Sequence, residues 1–217
     1  MNETAGREKV LKNIRNASLV KVANKYSGAN LEADIYKMDS EDDLLIRFAQ
    51  ELNAIGGSFV YCENEDDLIQ NLKVLLQTRN TNSIFSTDRI MHNMLKGSGI
   101  NLVEDESKSE SISIGLTRCE ALVARLGSVL VSSKHDSGRK YNFSPDLHIV
   151  IAQQSQVVET VKDALAFVRE KYAELPSMLT LITGPSRTAD IEKTLVMGAH
   201  GPRELIVFVL DIISHEY

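Results

Sequence analysis

Apolar residues along this chain recur with two alternating periods. After Ser40, which stands in N-cap position with Asp43 three residues on, EDDLLIRFAQELNAI reads as an amphipathic helix that stops at Gly56-Gly57. SFVYC follows as a short strand. NEDDLIQNLKVLLQT is a second helix, with acidic residues in its first turn, where the helix dipole favours them. SIFS is a strand, TDRIMHNMLKGSG a short helix closed by glycines, and INLVE another strand. The polar DESKSES reads as a loop, and ISIGLTR, SVLVSS and LHIVIA as three β-rich runs. SQVVETVKDALAFVREKY reads as one long helix, with Val158, Val161, Leu165 and Val168 at helical spacing. SMLTLIT and ELIVFVL are dense apolar strands around a final helix running from Ser186 through Met197. At the other end, Thr4 to Tyr26 carries a partial stripe of Val10, Leu11, Ile14, Ala17 and Leu19 that predicts a helix before the SGANLEADIYKM break.

Alternating helices and buried-looking strands predict an α/β fold, a mostly parallel sheet flanked by helices with right-handed crossovers. The 217 residues suit one domain with a helical appendage: an N-terminal helical segment, 1–35, and a single α/β domain, 36–217.

Charge and cysteine usage narrow the chemistry. A net charge of −6 argues against broad nucleic-acid binding, which needs a basic face. Cys62 and Cys119 are the two cysteines, too few to hold an iron-sulfur cluster and not a disulfide framework. The first residues, MNETAGREKVLKNIRN, lack the apolar core of a signal peptide, and no apolar run approaches the ~20 residues of a membrane helix. The expectation is a cytoplasmic protein with no metal of its own. Gly97 and Gly99 end a helix instead of opening one, so they do not read as a dinucleotide fingerprint.

Two stretches carry candidate chemistry. In LITGPSRTADIEKTLVMGAHGPREL, Gly184-Pro185 ends a strand, and Ser186, Arg187 and Thr188 open the predicted helix. Free N–H groups at such a start bind anions, and Arg187 adds a bidentate donor. The same residues also fit a capped joint in which Arg187 pairs within its own chain. His200 stands before the second pair, Gly201-Pro202, where it caps carbonyls or meets a ligand. The second stretch, GLTRCEALVARLGSVLVSSKHDSGRKYNFSPDLHIVIA, gathers Arg118, Glu120, Arg125, Gly127, Ser128, His135, Arg139 and His148. Gly127 allows close backbone approach. Arg125, Arg139 and Arg187 would form an anion pocket if they converge, and otherwise are solvated surface charges. Cys119 reads as a buried, inert thiol.

GPSRTADIEKTLVMGAHGPREL closely resembles the C-terminal signature of the LUD-domain family. GLTRCEALVARLGSVLVSS, Gly138-Arg139 and SPDLHIVIA resemble its central motif. The resemblance is strong from Ile112 to Asp211 and extends back to about Ser40. It implies a fold like that of sugar-phosphate isomerases and CoA transferases, with a ligand at strand C-terminal ends. It also implies a part in oxidising L-lactate to pyruvate beside iron-sulfur oxidoreductase subunits, which would carry the clusters this chain cannot. Many relatives have a glutamate where Arg125 stands, in an E-T-G-T-like motif that here is Arg-Leu-Gly-Ser. The usual Pro-Pro before the histidine is here Pro145-Asp146. The arginine weakens any borrowed catalytic role and favours a small anionic ligand. A stand-alone transferase or isomerase, a non-catalytic scaffold, and a homo-oligomer all stay open.

Overall fold

The computed structural model describes residues 3–19, 28, 43–107, 112–136, 141–189, 195–197 and 201–211. The chain forms two compact units, residues 1–40 and 41–217. The first contains helix α1 (Glu3–Leu19); Val20 to Tyr26, expected to prolong it, lie outside the described residues.

The second unit opens with α2 (Leu44–Ala54). Its N-cap is Asp43, whose carboxylate accepts from the N–H groups of Leu45 and Ile46. Ser40, expected in that role, lies outside the described residues. A carboxylate directly before the first helical residue satisfies two orphan donors at once. There follow β1 (Ser58–Cys62), α3 (Glu65–Thr78), β2 (Ser83–Phe85), α4 (Arg89–Met94), β3 (Asn101–Val103) and β4 (Ile114–Arg118). Then come β5 (Ala121–Val123), β6 (Ser128–Ser132), β7 (Leu147–Gln153), β8 (Val157–Val158), α5 (Val161–Lys171), β9 (Leu179–Ile182), β10 (Arg187–Ala189), β11 (Leu195–Met197) and β12 (Glu204–Leu210).

The main sheet is parallel throughout, in the order β1-β12-β7-β4-β2-β3. Period-two alternation splits its strands between two cores. Leu147, Ile149 and Ile151 of β7, with Ile206, Phe208 and Leu210 of β12, face Leu68, Leu72 and Leu76 of α3. Val150, Ala152, Val207 and Val209 face the other way, against Phe48 and Leu52 of α2. That second core is shared with a small mixed sheet, β8-β5-β6-β9.

Three expectations change. β9 is not a parallel strand of the main sheet; it pairs antiparallel with β6, Leu130 opposite Leu181. The helix expected from Ser155 begins only at Val161, because Val157 and Val158 are taken up beside β5 and Thr160 forms a reciprocal cap with Asp163. Where a helix was expected from Ser186 to Met197, β10 pairs antiparallel with β11, Thr188 opposite Val196. Two anchors explain it. Ser186 N–H donates to Pro202 O at 2.8 Å, and the Arg187 guanidinium is bonded to Ile55 O, so the chain leaves Gly184 extended.

Gly127 shows how tightly the second core is built. It has φ +58°, and a Cβ there would lie 2.6 Å from Leu52 Cα and 2.5 Å from Glu51 C. Backbone meets backbone, so neither side can yield. Gly127→Ala is expected to cost about 2 kcal/mol or more of stability, read as a lower urea midpoint at unchanged slope.

Candidate functional site

The two Gly-Pro pairs singled out in the sequence meet in space. Besides the Ser186–Pro202 bond, Gly201 packs on Ser186 so closely that a Cβ would stand 3.1 Å from its Oγ. Gly184, at φ +80°, turns the chain out of β9 under the end of α2; a Cβ there would lie 2.8 Å from Ile55 O. Together the two turns wall a cavity of about 200 Å³.

The cavity sits on the α2 face of the main sheet. Its floor is His148 of β7 and Leu205 of β12. Thr180, Leu181 and Ile182 of β9 form one wall, and Asn142 and Phe143, before β7, complete it. His148 and Leu205 pair with each other at the amino-terminal ends of their parallel strands. The cavity therefore lies at the amino edge of the main sheet, whereas a ligand was expected at strand carboxyl ends. That expectation fits only β9, whose carboxyl end points into the same space. The reason is that β9 runs in the second sheet, so its exit and the entries of β7 and β12 share one region.

His148 is fully buried. Its Nε2 lies 2.8 Å from Thr117 Oγ1 on the neighbouring strand. Its Nδ1 has no hydrogen-bond partner among the described residues. Burial pushes its pKa down to about 4, so the ring is neutral at physiological pH. A neutral imidazole with one nitrogen engaged can still donate or accept one hydrogen bond.

The nominated residues separate into distinct roles. Gly184 and Ser186 line the cavity. Arg187 reaches back to Ile55 O and so caps the carbonyl end of α2, where a cation opposes the helix dipole. Gly127 packs on α2. Ser128 is buried, with Oγ 2.9 Å from Thr183 Oγ1 and bonded to Leu126 O. Arg125 lies in the short 3-10 turn Ala124–Leu126, its N–H donating to Glu159 O. Arg139, His200 and the Thr188 side chain lie outside the described residues. Convergence of Arg125 and Arg187 on the cavity is not what the geometry shows: neither lines it.

Asn142 and Thr180 were not singled out in the sequence, and His148 was gathered with the second stretch without being assigned to the ligand. His148 had a signal in LHIVIA. A lone polar residue sharing one strand face with Val150 and Ala152 must be buried, and a buried polar group needs partners.

A second polar cluster lies near the carboxyl end of β4. Glu120 is fully buried, with Lys171 Nζ and Tyr172 OH each at 2.9 Å, Ser132 Oγ donating, and His135 Nε2 at 2.9 Å. Burial alone would raise its pKa, but His135, Ser132 and Lys171 outweigh that and hold it well below the usual carboxylate range. Next to it, Cys119 is buried and its thiol is pushed up to about 12, chiefly by burial, so it is the inert thiol expected. Among the described residues no group of three or more His, Cys, Asp or Glu could hold a metal ion, and no helix is long and apolar enough to cross a membrane.

His148 makes stability depend on pH. Its folded pKa, about 4, lies below the ordinary ~6.5, so the unfolded chain binds the proton first. The stabilisation is present above about pH 6.5 and lost as pH falls toward 4. Urea unfolding at pH 7 and 5.5 is expected to show a loss about 1 kcal/mol larger in the native chain than in His148→Gln. Equal losses would mean that the ring is charged in the folded state.

The chain is similar to Lactate utilization protein C of Bacillus licheniformis, 35% identical over 111 residues, covering 50% of this chain and 46% of that protein. It is 37% identical over 105 residues to the Geobacillus thermodenitrificans protein of the same name, covering 47% and 44%. These matches span about half the length of those relatives. The Shouchella clausii protein of that name is 28% identical over 192 residues, 82% of this chain and 83% of its own. A crystal structure of a DUF162 family protein from Deinococcus radiodurans shares the fold, with TM-score 0.56 and 23% identity over 77% of this chain and 96% of that one. Residues 45–210 match the LUD domain, and the chain belongs to the LUD domain family.

Proposed function

We propose that this chain is an accessory subunit of a lactate-utilisation system and binds a small hydroxy or keto acid in the cavity between the two Gly-Pro turns. The observation that carries this reading is the unspent nitrogen of His148 in an otherwise mostly apolar space. The relatives' names supply the metabolic setting. At about 200 Å³ the cavity is below the roughly 300–1,000 Å³ of drug-sized sites and suits a few-carbon metabolite.

Leu181, Ile182 and Leu205 offer apolar surface for a methyl end. His148, Thr180 and Ser186 offer hydrogen bonds to a hydroxyl or keto oxygen. Among the described residues no Lys or Arg lines the cavity, so the carboxylate is placed at its open side, where Arg187 follows Ser186. Oxidising lactate to pyruvate removes two electrons and two protons from the carbinol group. Both thiols of this chain are buried and free, so the electrons are assigned to iron-sulfur partner subunits. On this reading the chain holds the acid and the partners accept its electrons.

Calorimetry of the purified chain with L-lactate and with pyruvate is expected to show saturable binding of at least one. Ser186→Ala should weaken it about two- to tenfold, the net worth of one hydrogen bond. No binding of either acid, or identical affinity in Ser186→Ala and His148→Gln, would remove the cavity assignment.

A further inference from the structure

The strand order reverses once in the main sheet. From β2 the chain moves outward to β3; from β4 it moves the opposite way, to β7 and then β12. The chain therefore leaves β2 and β4 in opposite directions, and open parallel sheets take ligands outside the carboxyl ends of the strands at such a point. This is the edge of the sheet opposite the cavity described above.

Three segments meet there. After β2, Asp88 is fully buried; Oδ1 accepts from Ile90 N–H and Met91 N–H, and Oδ2 accepts from Arg118 Nε at 2.7 Å. Arg118 ends β4, and its side chain remains 29% exposed. The third segment follows β6. Thr87 Oγ1 donates to Asp136 O at 3.0 Å, and Arg89 N–H donates to Asp136 Oδ2, so this segment is tied to the residues flanking Asp88. Its neighbour His135 has a side chain only 5% exposed and sets Nε2 against Glu120, two residues beyond Arg118. Neither ring nitrogen makes a well-aligned hydrogen bond among the described residues; Nε2 is occupied by the contact with Glu120, and Nδ1 stays unspent.

The Arg118 contact has a specific consequence. A guanidinium has five N–H donors in one plane. Asp88 takes the Nε edge and fixes that plane, while the two Nη groups have no partner among the described residues. A half-spent, oriented guanidinium presents a paired donor edge that matches a carboxylate or phosphate. A lysine ammonium at the same place could keep the ion pair with Asp88 but not present that edge.

We infer that the region outside the carboxyl ends of β2 and β4 is a second, oxyanion-binding site, in which the Arg118 Nη groups grip a carboxylate or phosphate group and His135 Nδ1 supplies a further contact. The site stands apart from the His148 cavity and does not depend on the proposed function. A protein with both sites can hold a small acid at one edge of the sheet and the oxyanion of a second molecule at the other.

The test uses the full chain with two probes, inorganic phosphate and acetate, followed by backbone amide NMR and calorimetry. Saturable shifts confined to residues 86–89, 118–120 and 134–136 are expected with at least one probe; which one binds tells phosphate from carboxylate chemistry. Arg118→Lys, confirmed as folded by circular dichroism, should bind that probe at least tenfold more weakly, as read from the shifts at those residues. Absence of shifts at those residues up to 50-fold the protein concentration and beyond, to about 50 mM probe, overturns the site, as does equal affinity in folded Arg118→Lys. Should Arg118→Lys fail to fold, the location of the shifts in the native chain decides alone.

Discussion

Everything in the α/β unit depends on the insertion of β12, the last strand, between β1 and β7. It is paired along its whole length, Glu204 to Leu210 against Leu147 to Gln153 on one side and Ile206 to Leu210 against Ser58 to Cys62 on the other. A parallel neighbour cannot be reached by a tight turn, so both ladders join segments far apart in the chain. Without β12, β1 loses its one neighbour in the sheet among the described residues, and both cores lose alternate residues of the same strand. The insertion also fixes Gly201-Pro202 over the entry of β7, which is what makes a cavity of two otherwise unrelated turns.

Helix α2 translates that sheet geometry into the shape of the site. Its backbone packs against Gly127, and the carbonyl of its C-cap residue Ile55 packs against Gly184 and accepts from the Arg187 side chain. Arg187 thus acts through α2, keeping the chain extended beyond Gly184 where a helix would otherwise begin. The anion site expected at a helix start is replaced by a pocket whose polarity comes from hydroxyls and one neutral imidazole. This matters chemically: a neutral pocket selects by shape and single hydrogen bonds, whereas a charged one selects by ionic grip.

The buried polar groups divide by how completely they are satisfied. Glu120 is surrounded by Ser132, His135, Lys171 and Tyr172, and behaves as a pin holding α5 against β6. Breaking such a cluster on one side leaves a buried charge and typically costs about 3–5 kcal/mol. Asp88 is equally committed, to α4 and Arg118. His148 Nδ1, His135 Nδ1 and the Arg118 Nη groups have capacity left among the described residues. Ligand chemistry is assigned where donors remain unspent, and structural roles where they are used up.

Much of the architecture was legible in sequence. The strands of the main sheet, SFVYC, LHIVIA and ELIVFVL among them, announce themselves by β-branched apolar runs, and α3 by Leu68, Leu72 and Leu76 at helical spacing. The meeting of the two Gly-Pro turns was half legible, since Gly184 and Ser186 were nominated, but neither turn reveals its partner. Periodicity, capping and turn chemistry act over a few residues, and the sequence by itself determined what depends on that range: the type of every main-sheet strand and of α2, α3 and α4, and the inert burial of Cys119. Tertiary structure alone decided that β9 joins the second sheet, that residues 187–189 pair antiparallel with residues 195–197, and that His148 and Glu120 are buried beside partners 31 and 52 residues away. Those outcomes turn on which distant groups compete for the same hydrogen bonds and the same space, and no local pattern carries that information.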